Sequence, residues 1–348
     1  MSRHANALIV GVLSIAAGIA VAAQSGQPAA APDWAYGYLG PLTSSDRIAP
    51  PCPPTAKPFP DCAYVGGNPP DGDVKRTLPG TSLSFSRNEV FADFGPADWY
   101  PEDHPPMPPI VARGKEAEGV RPCSLCHYPN GQGKMENGHV AGLSAAYILS
   151  QLEAFKSGAR KSADPRKANT NEMAGIARSL TPEEAKAAAE YFAAQSFRPW
   201  VKVVEAEEAP GLRRTQNGLF LAVPGAAPIP LNGRIIEMAA DAERMDTMRD
   251  PRTGFITYVP VGSVAKGEEL AKTGGGGKTM QCALCHGPEL KGSPAAPPIA
   301  GRTASYTMRQ LWDMKQGTRK SPIMAPVVAK LSLEELTALT AYVASRQP

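Results

Sequence analysis

The sequence predicts a mainly α protein: two small helical units in tandem, a long loop-rich extension before them, and a connector with short β-strands between them. Three observations predict this. The second half of the chain repeats part of the first in register. Each copy places apolar residues at helical spacing and closes on a readable helix start. The stretches outside the copies hold much of the proline and glycine, 36 and 33 of 348 residues, or run as short β-like segments.

In chain order, residues 1–23 read as an export signal. Arg3 gives a positive start, Leu8 to Ala23 is a small-apolar run broken by Ser14 and glycines, and Ala20-Val21-Ala22 or Val21-Ala22-Ala23 offers a cleavage site. The run is short for a membrane span, which takes about 20 apolar residues. An uncleaved anchor is the alternative.

Residues 24–111 form a Pro/Gly-rich extension. It carries 10 acidic and 5 basic residues, against net charges of +3 for 112–200 and +5 for 260–348. It also holds Trp34, Tyr36, Tyr38, Phe85, Phe91, Phe94, Trp99 and Tyr100, more rings than a disordered tail carries. The expected state is an acidic segment wrapped on basic helical units, with a docking surface for a partner as the alternative. Cys52 and Cys62 bracket a short proline-rich loop and, in an oxidising compartment, form a disulfide. The whole-chain net charge of +3 gives no bulk attraction to nucleic acid.

Residues 112–200 and 260–348 are the two helical units. "VAGLSAAYILSQLEAFKSGARKS" from Val140 aligns without a gap on "IAGRTASYTMRQLWDMKQGTRKS" from Ile299. Tyr147 and Tyr306, Gln151 and Gln310, and the Lys-x-Gly-x-Arg-Lys-Ser ends coincide. The first copy then inserts "ADPRKANTNE", expected as a polar loop, before the match resumes at Met173 and Met324. Thr181 with Glu184 and Ser332 with Glu335 are capping boxes that open the last helix of each copy. Each unit is expected to run helix, motif, loop, helix, loop with methionine, helix. Between them, 201–259 carries "VKVVE", "LFLAV", "RIIEM" and "FITYV", expected as a few strands.

Each copy carries C-x-x-C-H: Cys123, Cys126 and His127 in "RPCSLCHYPNGQG", Cys282, Cys285 and His286 in "MQCALCHGPELKG". This is the attachment signature of c-type haem. Two thiols about one turn apart reach the vinyl groups on one porphyrin edge, and the adjoining histidine offers a neutral imidazole nitrogen to the iron. One zinc held by both pairs would leave the two following histidines unexplained, and a dithiol redox pair would need a βαβ setting. The chain is therefore expected to bind two covalent haem c groups. Met173 and Met324, at equivalent places, are the expected sixth ligands, since a thioether favours ferrous iron and raises the potential. Met135 and His139 are rivals in the first copy. His139 aligns with Pro298 and is expected at the surface or behind a ligand, while a carbonyl near Pro297 is placed to fix the imidazole of His286.

With these motifs, the "AG…Y…QL…K.G.RKS" helix and the closing capped helix, both units resemble class I cytochrome c domains, and the tandem resembles the di-haem cytochrome c4 family. The resemblance covers about half of the chain. It implies two all-α haem domains, His/Met iron and periplasmic electron transfer between a redox donor and acceptor, on the dehydrogenase or terminal-oxidase side. The extension and the connector depart from that family's short linker. The reading is a carrier rather than an enzyme. The alternatives are a haem enzyme of the peroxidase or thiosulfate dehydrogenase type, an electron-accepting subunit of a dehydrogenase complex, or a haem-stapled binding module.

Overall fold

Each unit closes on a helix whose start is set by four residues. In the computed structural model, which describes residues 31–66 and 69–348, both boxes form. Thr181 Oγ1 accepts from Glu184 N at 3.2 Å, and the Glu184 carboxylate accepts from Thr181 N at 2.9 Å. Ser332 and Glu335 do the same at 3.1 and 2.8 Å. The export signal expected over residues 1–23 lies outside the described residues.

The extension is ordered by its rings. It carries a short hairpin of β1 (Arg76–Thr77) and β2 (Ser84–Phe85) and one helical turn, α1 (Arg87–Val90). Trp34, Tyr36, Trp99 and Tyr100 are buried. Tyr36 Oη donates to Asp313 of the second unit at 2.6 Å, and Arg178 of the first donates to the Cys52 carbonyl at 2.6 Å. Acidic residues meet basic ones as expected: Asp33 with Arg166 at 2.8 Å, Asp93 with Arg121 at 2.9 Å, Asp103 with Arg252 at 2.7 Å. Cys52 and Cys62 are joined, their Cα atoms 5.0 Å apart. Non-reducing peptide mapping is expected to recover that linked pair; free thiols after denaturation would refute it.

The first unit holds α2 (Pro109–Ala112), α3 (Cys123–His127), α4 (Ala145–Lys156), α5 (Ala168–Ser179) and α6 (Pro182–Ala193). Two expectations are corrected here. The opening helix is a single turn, because Pro105, Pro106, Pro108 and Pro109 lack the N–H groups that an earlier helix would need. The insertion is not all loop. Asp164 accepts from Arg166 N at 2.8 Å in a turn before α5, and α5 begins at Ala168, so Met173 sits inside a helix rather than in a loop.

The connector contains β3 (Val201–Glu205), β4 (Glu208–Ala209), β5 (Leu212–Arg214), β6 (Phe220–Ala222), β7 (Ile229–Pro230), β8 (Ile236–Ala239), α7 (Ala242–Asp246) and β9 (Phe255–Val259). All four β-like runs seen in the sequence are strands. β9 lies between β3, parallel from Val201↔Phe255 to Glu205↔Val259, and β8, antiparallel. Phe220, Leu221, Ile236 and Phe255 pack with Trp200 and with Tyr128, the residue after the first motif. The connector is thus part of the wall around that motif.

The second unit holds α8 (Ser263–Thr273), α9 (Ala283–His286), α10 (Ala304–Lys315), α11 (Met324–Ala329) and α12 (Leu333–Ser345). α8 crosses α12 at Gly267, where a Cβ would lie 2.0 Å from the Ala338 carbonyl oxygen, so only glycine permits the approach. Met324 begins α11, again a helix rather than a loop. Buried Glu237 of β8 accepts from Ala304 N at 2.7 Å and Ser305 N at 3.1 Å at the start of α10, and from Thr257 Oγ1 at 2.7 Å. Glu237→Ala is expected to cost about 2 kcal/mol by removing this cap and leaving buried donors unpaired, measured by urea unfolding of the holoprotein.

The two units meet through the residues that repeat. Arg160 donates to Gln151 at 3.0 Å, to Tyr306 Oη at 3.1 Å and to Gln310 at 2.9 Å. Arg319 mirrors it, donating to Gln310 at 2.9 Å, Tyr147 Oη at 3.0 Å and Gln151 at 2.9 Å. Backbone bonds from Lys161 N to the Thr318 carbonyl (2.9 Å) and from Lys320 N to the Ala159 carbonyl (2.7 Å) complete a pseudo-twofold contact. A self-complementary patch of this kind needs equivalent residues on both sides.

Candidate haem centres

α3 is barely more than one turn, which is what brings Cys123, Cys126 and His127 to one place. His127 Nδ1 donates to the Gly138 carbonyl at 2.7 Å. A carbonyl can only accept, so the proton is on Nδ1 and the Nε2 lone pair is left for a metal. Burial outweighs that bond and pushes the imidazole pKa down, keeping the ring neutral. His286 is held identically: Nδ1 donates to the Pro297 carbonyl at 2.8 Å, and burial again lowers its pKa. Pro297 is the counterpart of Gly138, so one backbone carbonyl performs the same task in both units.

Cys123, Cys126, His127 and Met173 line one cavity. Ile148, Leu152, Phe155, Ile176 and Phe192 make its apolar wall. Its other end is polar and receives Tyr306, Arg309 and Gln310 from the second unit. Apolar walls, two thiols, an imidazole, a thioether and a cationic end fit a covalently held porphyrin with its two carboxylates. In the second unit, Cys282 and Met324 pack against one core with Leu270, Met308 and Leu336.

The rivals of Met173 are occupied elsewhere. Met135 is buried in the connector core and is not among the residues lining the cavity. His139 is buried rather than at the surface, and the reading that sets it behind a ligand stands: it lines the cavity next to Gly138, whose carbonyl holds His127. Its Nδ1 bonds to the Gln132 carbonyl of its own unit, and its Nε2 joins the units through Thr303 Oγ1 at 2.6 Å. His104 is held by Asp98 at 2.8 Å within the extension. His4 lies outside the described residues.

The two motifs differ sharply in cover. Leu125 in the first is 5% exposed, while its counterpart Leu284 in the second is 68% exposed. Ser124 is buried and its counterpart Ala283 exposed. The lid is built from both added segments. Arg249 of the connector donates to the Leu125 carbonyl and stacks on Phe91 and Tyr128, at 4.9 and 5.4 Å from the ring centres. Arg121 is paired with Asp93 and lies 4.6 Å over Phe59. On the methionine side, a Cβ at Gly175 would lie 2.6 Å from Cys52 Sγ, so the disulfide loop rests directly on α5. The extension's share of this cover matches the expected wrap on the helical units; the share of the connector, through Arg249, was not read from the sequence, because its partners lie far apart along the chain.

The rival chemistries find no support in the geometry. Among the described residues, no group of three or more His, Cys, Asp or Glu is placed to share a metal ion. Burial pushes the Cys123 thiol up to about 12, opposite to the lowered pKa of a dithiol redox catalyst.

The cytochrome c family profile matches residues 111–196 and 264–347. Cytochrome c4 of Stutzerimonas stutzeri is 30% identical over 150 residues, 38% of this chain and 70% of that protein. A thiosulfate dehydrogenase electron acceptor of Stutzerimonas stutzeri (strain A1501) is 42% identical over 80 residues, 22% of this chain; the chain spans only 37% of its length. Among solved structures, thiosulfate dehydrogenase of Marichromatium purpuratum aligns with a TM-score of 0.45 and 25% identity over 68% of this chain and 39% of that one. The two motifs, the repeated helices, the family profile and the cytochrome c4 match place the chain in the cytochrome c family, as a di-haem member with two covalently bound haem c groups and kinship to cytochrome c4.

Proposed function

We propose that the protein is a periplasmic electron carrier. Cys123 and Cys126 attach the first haem and Cys282 and Cys285 the second. His127 with Met173 and His286 with Met324 are the axial pairs. Haem iron filled on both faces supplies one-electron chemistry with little rearrangement. Around it the chain's own residues hold and exclude. The Gly138 and Pro297 carbonyls orient the imidazoles, and the apolar wall from Ile148 to Phe192 keeps water from the first centre.

The observation that carries this reading is the shared wall: Tyr306, Arg309 and Gln310 of the second unit line the cavity of the first. Residues of the second unit that reach the first cavity suit passage of an electron between the two units. The partners are redox proteins. A relative named as a thiosulfate dehydrogenase electron acceptor favours, as a second reading, a role receiving electrons from a dehydrogenase. The test is to reduce the purified protein and offer it peroxide, thiosulfate and a small redox protein in turn. Rapid oxidation by the redox protein alone supports a carrier; sustained turnover of a small molecule overturns it.

Axial ligation has its own test. Met324→Ala is expected to weaken the sulfur-to-iron charge-transfer band of the oxidised protein and to lower one of its two potentials. Met173→Ala is expected to do the same for the other haem. A spectrum that answers to His139→Ala instead would contradict the assignment.

A further inference from the structure

Lys167 lies in the segment that the first unit has and the second lacks. It is 5% exposed, it lines the first haem cavity, and its Nζ has no hydrogen-bond partner among the described residues. A buried ammonium without a partner is costly, and burial, with the charge of Arg309 nearby, pushes its pKa well below the ordinary lysine value. Two of the cavity's carboxylates are fully engaged: Glu172 takes two bonds from Arg121 at 2.6 Å each, and Asp313 accepts from Tyr36 and from Ala163 N. Glu136 lies 2.5 Å from Lys134 but neither of its buried oxygens has a hydrogen-bond partner among the described residues. Arg160 and Arg309 also line the cavity and bond only neutral partners, Arg309 to the Ala35 and Met135 carbonyls. The cavity therefore sets the cationic groups Lys167, Arg160 and Arg309 against the one incompletely bonded carboxylate of Glu136.

We propose that Lys167 is a positioning residue for the first haem, its ammonium paired with one of that haem's carboxylates. The pair neutralises a negative charge beside the iron and so favours the reduced state, raising the potential of the first haem relative to the second. The insertion thereby makes two similar centres unequal. The proposal rests on the first haem occupying the cavity of Cys123, Cys126 and His127.

The test is Lys167→Met, with Lys167→Arg as the conservative variant, in the full haem-loaded protein. Mass and absorbance first establish that both haems remain; loss of the first motif's haem from the parent protein would instead indict the site assignment. Spectroelectrochemical titration is expected to show the first haem's potential falling in Lys167→Met, restored towards the parent in Lys167→Arg, with the second haem unmoved. The melting temperature should fall in parallel. An unchanged potential with a raised melting temperature would mean an unpaired buried amine. An unchanged potential with a lowered one would mean a pair with nearby Glu136. Either result overturns the proposal, and the Lys167→Arg titration decides it if Lys167→Met does not fold.

Discussion

Replacing Cys282 and Cys285 with alanine is expected to remove one haem, leave the other, and slow reduction of the remaining haem by a redox protein ten- to a hundredfold, about the span over which association rates vary at one interface. The reason is the unequal cover of the two motifs. Leu284 stands 68% exposed, with Met280 and Ile323 also exposed, so an incoming protein can approach that attachment edge. Leu125 is 5% exposed beneath Arg249, Phe91 and the connector. The second centre is therefore the expected port and the first the expected inner site. Stopped-flow reduction of the variant, read at the haem absorbance, checks this. A rate equal to that of the parent would show that the first centre has its own port.

Arg319→Ala is expected to destabilise the holoprotein by about 3 kcal/mol, from three charge-assisted bonds lost and from Tyr147 and Gln151 each losing a partner. Relief of the repulsion between Arg319 and Arg160 works the other way and keeps the figure from being larger. The melting temperature should drop by roughly 5 °C, and one cooperative transition should begin to divide into two as the units uncouple. Calorimetry measures both. An unchanged single transition would mean that His139–Thr303 and the extension join the units without the arginine pair.

Much of this was legible in the residues. The C-x-x-C-H motifs, the capping boxes at Thr181 and Ser332 and the four connector strands all depend on local patterns, and a local pattern survives in the sequence. The repeat held more than the alignment drew from it. Tyr147, Gln151 and Arg160 recur as Tyr306, Gln310 and Arg319, and each arginine bonds the glutamine of its own copy as well as the tyrosine and glutamine of the other. Polar residues kept in both copies pair with the other copy, and that rule could have located the interface. The lid over Cys126 was not legible. It depends on Arg249, held at φ 50° so that its guanidinium reaches Leu125 from 124 residues away. Whether His139 lay at the surface or behind a ligand stayed open for the same reason, since Thr303, its partner, is 164 residues distant. The helical setting of Met173 was hidden because α5 opens within the insertion with no side-chain cap at Lys167, beneath a polar composition that reads as loop.

The central claim is that two haem irons, each closed by a histidine and a methionine, pass electrons through one chain. Near-infrared magnetic circular dichroism of the fully oxidised protein tests it most directly, because the position and strength of the charge-transfer band report the axial pair and the number of irons that share it. The account predicts two low-spin His/Met irons per chain, with half the intensity lost in Met173→Ala and half in Met324→Ala. One high-spin iron, or a bis-histidine band, in the unaltered protein would contradict it.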